Sequence, residues 1–130
     1  MKKQPAVWDI DGTLTSERYD EDNLLTLREN PTMMLLAIAM QPERPLIIST
    51  ARPERFREQT EKWLASHGLH PEAIYMRDNE REGVPDHLIK FGHLLEIREK
   101  FGEPLVWCDD NDSNVHMLKK NGVPVIHVKQ

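Results

Sequence analysis

Asp9 and Asp11 lie two residues apart in Pro5-Ala6-Val7-Trp8-Asp9-Ile10-Asp11-Gly12-Thr13, where two carboxylates, a glycine and a hydroxyl follow a short apolar run. Average residue usage puts a chance D-x-D-G-T in a chain of 130 residues at about one in a thousand. An Asx turn closing a strand accounts for Asp11-Gly12 but gives Asp9 no reason to be acidic. Two carboxylates about 4 Å apart repel by about 4 kcal/mol at an effective dielectric of about 20, a conflict that a divalent cation removes. Hard oxygen ligands select Mg²⁺, which accepts carboxylates, water and a phosphate oxygen in an octahedron. The chemistry that fits is phosphoryl transfer. A carboxylate placed beside phosphorus attacks it to give an aspartyl-phosphate, which splits one hard displacement into two easier ones. Asp9 takes the part of nucleophile. Asp11, turned back by Gly12, protonates the leaving oxygen and then deprotonates the hydrolytic water.

Three further features complete the constellation. Thr50 follows Leu46-Ile47-Ile48-Ser49 and offers a hydroxyl and a backbone N–H to a phosphoryl oxygen. Lys90 brings a positive charge to the oxygens that carry most of the negative charge during transfer. Asp109 and Asp110 follow Leu105-Val106-Trp107-Cys108, and one or both join Asp9 and Asp11 around the metal. Simple capping of the next helix is the ordinary alternative for this acidic pair.

These residues need a scaffold that brings them together. Apolar runs recur with a proline at or just before each start: Pro5 to Ile10, Pro45 to Ser49, Pro71 to Met76, Pro104 to Cys108 and Pro124 to Val128. They read as five strands, buried on both faces and mainly parallel. Helical periodicity fills the gaps. Met33, Leu36, Ala37 and Met40 follow an Asn30 cap and Pro31. A second helix starts near Pro53, carries Phe56, Trp63 and Leu64, and stops at Gly68. A third, from about Pro85 to Lys100, presents Leu88, Phe91 and Leu95, and Gly102 ends it. Asp112 or Ser113 caps a fourth, which ends at Gly122. The alternation predicts a single α/β domain over 1–130, an open sheet with helices on both faces. Ligands of such sheets bind beyond the carboxyl ends of the strands, where each of the residues named above falls. Thr15 to Asn30 is polar and irregular and reads as a surface excursion.

Composition narrows the partners. The net charge of −5 argues against a protein that coats nucleic acid through its phosphates, yet leaves room for one phosphorylated end or a nucleotide. Met1-Lys2-Lys3 is basic, but only Ala6-Val7-Trp8 follows before a charge, too short for a signal sequence. No run is long enough to span a membrane, and the lone Cys108 sits in an apolar run as a reduced, buried side chain, so a cytoplasmic location is expected. Arg52, Arg55, Arg57, Arg77 and Arg81 follow the second and third strands, where they could hold a nucleic-acid backbone, but they are interleaved with acids and read rather as a mixed solvated surface, except Arg52, which stands beside Thr50. The six histidines form no metal signature and read as structural or surface residues. Trp8 and Trp107 read as core.

These residues resemble the haloacid dehalogenase (HAD) superfamily, whose phosphatases use the aspartate of a D-x-D-G-T motif as nucleophile. Asp9-Ile10-Asp11-Gly12-Thr13 is the first motif, and Thr50 in Ile47-Ile48-Ser49-Thr50-Ala51-Arg52-Pro53 the second, with Ala51 in place of the frequent glycine. Lys90 is the third and Asp109-Asp110 the fourth. The resemblance implies a Rossmann-like fold, Mg²⁺, a phosphate-binding segment Thr50-Ala51-Arg52, and Asp110 as the direct metal ligand of its pair. Within the superfamily the chain looks most like the 3′-phosphatase domain of phage-type polynucleotide kinase/phosphatases, through Tyr19-Asp20, Asn30-Pro31, Arg52 and Asp86-His87-Leu88-Ile89-Lys90. The segment Arg77 to Pro85 is more acidic than that family's basic loop. No P-loop is present, so the kinase half of such enzymes is missing, and a homo-oligomer or a separate kinase partner is left open. No stretch is long enough for a large cap domain. The implied activity is removal of 3′-phosphate from nucleic acid ends. The alternatives are a nucleotide or small-metabolite phosphatase and a binding module without activity.

Overall fold

The structure, a computed structural model, describes residues 3–129; the Met1-Lys2 start of the basic segment lies outside them. Five parallel strands form one sheet in the order β3-β2-β1-β4-β5: β1 Ala6–Trp8, β2 Leu46–Pro53, β3 Ala73–Arg77, β4 Val106–Asp109 and β5 Val125–His127. Chain order reverses at β1, whose neighbours β2 and β4 diverge beyond its end, and a crevice opens there.

Strand alternation supplies two cores. Trp8, Ile48 and Cys108 point to the face covered by α1 (Pro31–Met40) and α2 (Arg57–Ser66), where they meet Met34, Ala37, Trp63 and Leu64. Val7, Ile47 and Trp107 point to the other face and meet Leu94, Ile97 and Leu118 from α3 (Asp86–Phe101) and α4 (Asp112–Lys120). The central strands β1, β2 and β4 are buried from both sides, which accounts for their continuous apolar sequence, while the edge strand β5 leaves Ile126 exposed.

Several boundaries differ from the sequence reading. β1 ends at Trp8, so Asp9 stands free of the strand, whereas β2 runs on to Pro53 and takes in Thr50. The β2–β3 ladder is in register up to Ser49 opposite Tyr75 and resumes at Pro53 opposite Arg77. Thr50, Ala51 and Arg52 therefore bow out opposite Met76 alone, a bulge of the kind that re-aims side chains beside functional sites. Pro53 precedes a short turn, Glu54–Phe56, before α2 begins. On α3 the buried stripe is Ile89, Lys90, His93, Leu94 and Ile97, while Leu88 and Leu95 are half exposed. The period was legible but its phase was not, because a lysine and a histidine take inward positions that an apolar count assigns to solvent.

Asn30 caps α1 as read, accepting from the Met33 N–H at 3.3 Å. The cap of α4 is Asn111 rather than Asp112 or Ser113: its side-chain oxygen accepts from the Asn114 N–H at 2.9 Å, which leaves Asp112 in the first turn. Asn111→Ala is expected to cost about 1 kcal/mol in urea unfolding, against a negligible change for Ser113→Ala.

The excursion from Thr15 is a compact lobe. It leaves and returns through an antiparallel bridge between Thr15 and Glu29, buries Leu24 and Leu27, and is fastened to α2 by the Trp63 indole N–H donating to the Leu27 carbonyl at 2.9 Å.

Candidate active site

Asp9 continues from β1, its N–H donating to the Cys108 carbonyl at 3.0 Å, and its side chain is buried at the crevice floor. Both carboxylate oxygens are held. The Lys90 ammonium approaches one at 2.8 Å and the Thr13 hydroxyl donates to the other at 3.2 Å. Lys90 is itself buried and donates also to Asp109 at 2.6 Å. One cation thus faces two buried carboxylates, with Asp110 alongside. Burial pushes the Asp9 carboxyl well above the ordinary value, Lys90 opposes this, and the charge of Asp109 adds to it. For Lys90, burial alone would favour the neutral amine, but Asp109 and Asp9 outweigh it and hold the ammonium above its usual range.

After Asp9 the chain makes one wide turn, Ile10–Leu14, closed by the Thr15 N–H on the Ile10 carbonyl at 3.0 Å. Gly12 is needed there twice over. Its φ of 77° lies in the left-handed region, and a Cβ built on it would fall 2.2 Å from a carboxylate oxygen of Asp110.

Asp11 is paired with Arg52. Arg52 grips its carboxylate with two parallel hydrogen bonds of 2.9 and 2.8 Å and donates with its remaining arm to Thr60 on α2 at 3.1 Å. The Arg52 side chain is 1% exposed, and the Tyr19 ring stands 5.9 Å above its guanidinium. Arg52, read as a phosphate contact, here orients Asp11. Asp11, read as a metal ligand through its carboxylate, is turned to Arg52 instead, because a planar guanidinium matches both carboxylate oxygens. Thr50 is also buried, its hydroxyl accepting from the Arg52 N–H at 3.2 Å, and Ala51 and Arg52 form the cleft wall at that point.

The carboxylates that do converge are Asp9, Asp109 and Asp110, one oxygen of each lying within 4.8 Å of the others. Asp109 is fully engaged. One oxygen accepts from Lys90 and the other from the Asn111 N–H at 3.0 Å and the Asn114 amide at 3.2 Å. Asp110 is less buried and lines the cleft. The Asn114 side-chain oxygen is buried with no hydrogen-bond partner among the described residues. Hard oxygens, negative charge that one lysine does not balance, and a buried acceptor awaiting a donor together fit a hydrated Mg²⁺.

The cleft above these groups holds about 600 Å³. Its rim is built by Arg18, Tyr19 and Glu21 from the lobe, Arg55 after β2, Glu82 before α3 and Asp86 at its first position. Arg55 pairs with Glu82 and, at 3.9 Å, with Glu21. Arg77, read as a solvated surface residue, is buried and pins the rim: it donates to the carbonyls of Ala51, Arg81 and Val84 at 3.0, 2.7 and 2.6 Å and to Asp86 at 2.5 Å. Cys108 lies in the core, where burial pushes its thiol up to about 12. Sequence reasoning missed Arg18, Thr60 and Asn114. Asn114 carried a usable signal, an amide on the first turn of the helix behind the acidic pair.

A Rossmann-like sheet with an acidic turn after β1, a lysine on α3 and an acidic pair at the end of β4 defines a phosphatase fold of the HAD type. A family model, the phosphatase domain of polynucleotide kinase PNKP, matches residues 3–130, and the chain belongs to that family. Two solved chains from Pnkp1/Rnl/Hen1 complexes, one described as an RNA repair complex, superpose with TM-scores of 0.85 and 0.82 at 23% and 25% identity, over 96% and 95% of this chain. The chain spans under half of their length, 42% and 45%. A D,D-heptose 1,7-bisphosphate phosphatase from B. bronchiseptica, solved with magnesium and phosphate, shares the fold with a TM-score of 0.65 at 13% identity, over 95% of this chain and 79% of that one. Comparison with curated protein sequences yields no match. Among the described residues no helix is long and apolar enough to cross a membrane.

Proposed function

We propose that the protein is a Mg²⁺-dependent phosphomonoesterase that removes the 3′-phosphate from nucleic acid ends through an aspartyl-phosphate on Asp9. The observation that carries this reading is the placing of Asp9. Lys90 and Thr13 fix its carboxylate at the crevice floor, and Asp11, two residues on, is locked by Arg52.

Asp9 and Asp110, with the Asn114 oxygen behind them, would hold Mg²⁺, while Asp109 orients Lys90 and Asn114. The metal, when bound, neutralises phosphate oxygens and lets an anionic ester approach an anionic nucleophile. An Asp9 oxygen attacks phosphorus as the bond to the leaving 3′-oxygen breaks, and Asp11, which enters this step protonated and turned from Arg52 toward the leaving group, gives its proton to that oxygen. Water then attacks the phosphoryl group, Asp11 takes its proton, and the Asp9–phosphorus bond breaks to release inorganic phosphate. Lys90 and the backbone N–H of Ala51 in the bulge stabilise the transferring group.

Family membership, and a cleft whose rim carries Arg18, Arg55 and the half-exposed Tyr19, support a nucleic acid end as substrate. Glu21 and Glu82, which engage Arg55, favour the second reading, a nucleotide or small phosphorylated metabolite. Since related chains occur in complexes with Rnl and Hen1, we also propose that it works next to end-processing partners. The test is Mg²⁺-dependent phosphate release from a 3′-phosphorylated oligonucleotide, a 3′-mononucleotide and an aryl phosphate. Faster turnover of the oligonucleotide is expected. Turnover of the small esters alone would establish the second reading, and no turnover of any would overturn both.

A further inference from the structure

We propose that His93 is a positioning residue for Lys90, clamping α3 onto the bulged end of the β2–β3 pair and so fixing the ammonium between Asp9 and Asp109. The proposal rests on the function above only for its kinetic test.

The ring is buried, and both of its nitrogens are used. Nε2 lies 3.0 Å from the Met76 carbonyl and Nδ1 lies 2.7 Å from the Ser49 hydroxyl. A carbonyl only accepts, so the proton sits on Nε2, and the Nδ1 lone pair accepts from Ser49. These partners mark the two sides of the ladder irregularity. Ser49 is the last β2 residue in register before Thr50-Ala51-Arg52 bow out, and Met76 is the β3 residue opposite that bow. The imidazole thus joins the two strands where their own ladder is interrupted. It also stands three residues after Lys90, on the same face of α3.

A group that only filled space here would be apolar. Lys90, Glu54 and Arg77 all bear electrostatically on the ring, while Tyr75 packs against it with ring centroids 5.7 Å apart. Burial, reinforced by Lys90, holds its pKa down at about 4, so the ring is neutral at ordinary pH and adds no charge beside the ammonium. The same link reaches Thr50 through Ser49, its neighbour in β2. One side chain therefore sets the relative placing of the second motif and the motif lysine.

The test uses the whole chain labelled with ¹⁵N-lysine. The Lys90 ammonium, buried and held by two carboxylates, should give a slowly exchanging side-chain resonance that disappears in Lys90→Arg. In His93→Phe this resonance is expected to be lost or strongly shifted. With an aryl phosphate, kcat should fall about 100-fold at nearly constant KM, the usual consequence of misplacing a catalytic group by about 1 Å. His93→Gln, which keeps a donor and an acceptor, should recover most of both signals, and Ser49→Ala should reproduce part of the loss without emptying the core. A Phe variant that retains the wild-type resonance, or one that loses only thermal stability, overturns the proposal. A wild-type protein that hydrolyses no phosphate ester overturns the proposed function instead, and the ammonium resonance then decides the role of His93 alone.

Discussion

Asp9→Asn is expected to lower kcat by on the order of 10⁵-fold while leaving the protein folded, because it removes the nucleophile and nothing that holds the sheet. Asparagine has the size of aspartate, its oxygen accepts from Lys90, and its amide reaches the Thr13 hydroxyl. It also removes one of the two buried carboxylates that share a single ammonium. Thermal stability without metal should therefore equal or exceed that of the wild type, since a buried carboxylate is costly where its charge is incompletely compensated. The combined outcome is diagnostic. A residue acting only as a structural ion-pair partner would lose stability on substitution and keep its kcat. Phosphate release from an aryl phosphate, followed with a chemical denaturation curve, separates the two cases. A variant retaining even a hundredth of wild-type kcat would exclude Asp9 as nucleophile.

The strands were legible because parallel strands buried on both faces must be continuously apolar, and such runs stand out between amphipathic helices. Strand ends were less legible. Proline flagged the starts, but no residue type announces that β2 continues past Ser49 and bulges, since that depends on what β3 and α3 place opposite it. The candidate site divides in the same way. Asp9, Lys90, Asp109 and Asp110 converge in space, where capping of the next helix was the ordinary alternative for the acidic pair. The aim of each group was not readable. Arg52 was assigned to the phosphate from its place beside Thr50 and Asp11 to the metal from its place beside Asp9, yet the two pair with each other once the bulge and the turn at Gly12 bring them face to face. Arg77 was read as solvated because acids are interleaved with it and its neighbouring arginines. Its burial follows from carbonyls on the rim loop that no ladder satisfies, and nothing in a linear charge pattern reports those.

Lys90→Met is expected to produce the largest loss of stability of any single change in the site. Methionine matches the stem of lysine and fills the same space, so the substitution isolates the charge. It leaves Asp9 and Asp109 buried without their cation, and breaking a buried pair in this way typically costs about 3–5 kcal/mol, or a fall of about 10–20 °C in Tm for a domain of this size. Removing the uncompensated charges should reverse the loss. Addition of Mg²⁺ is expected to raise the Tm of Lys90→Met by more than it raises that of the wild type, because in the variant the dication is the only remaining counter-charge. Lys90→Met/Asp9→Asn should recover part of the stability without metal, since it removes one of the two orphaned carboxylates and leaves Asp109. Catalysis should not return in either case: Mg²⁺ replaces the counter-charge but not the ammonium aimed at the transferring phosphoryl oxygens. A Lys90→Met protein as stable as the wild type without metal would mean that the carboxylates are protonated or hydrated. The electrostatic argument for a metal at this site would then fail, while the fold and the bulge would stand.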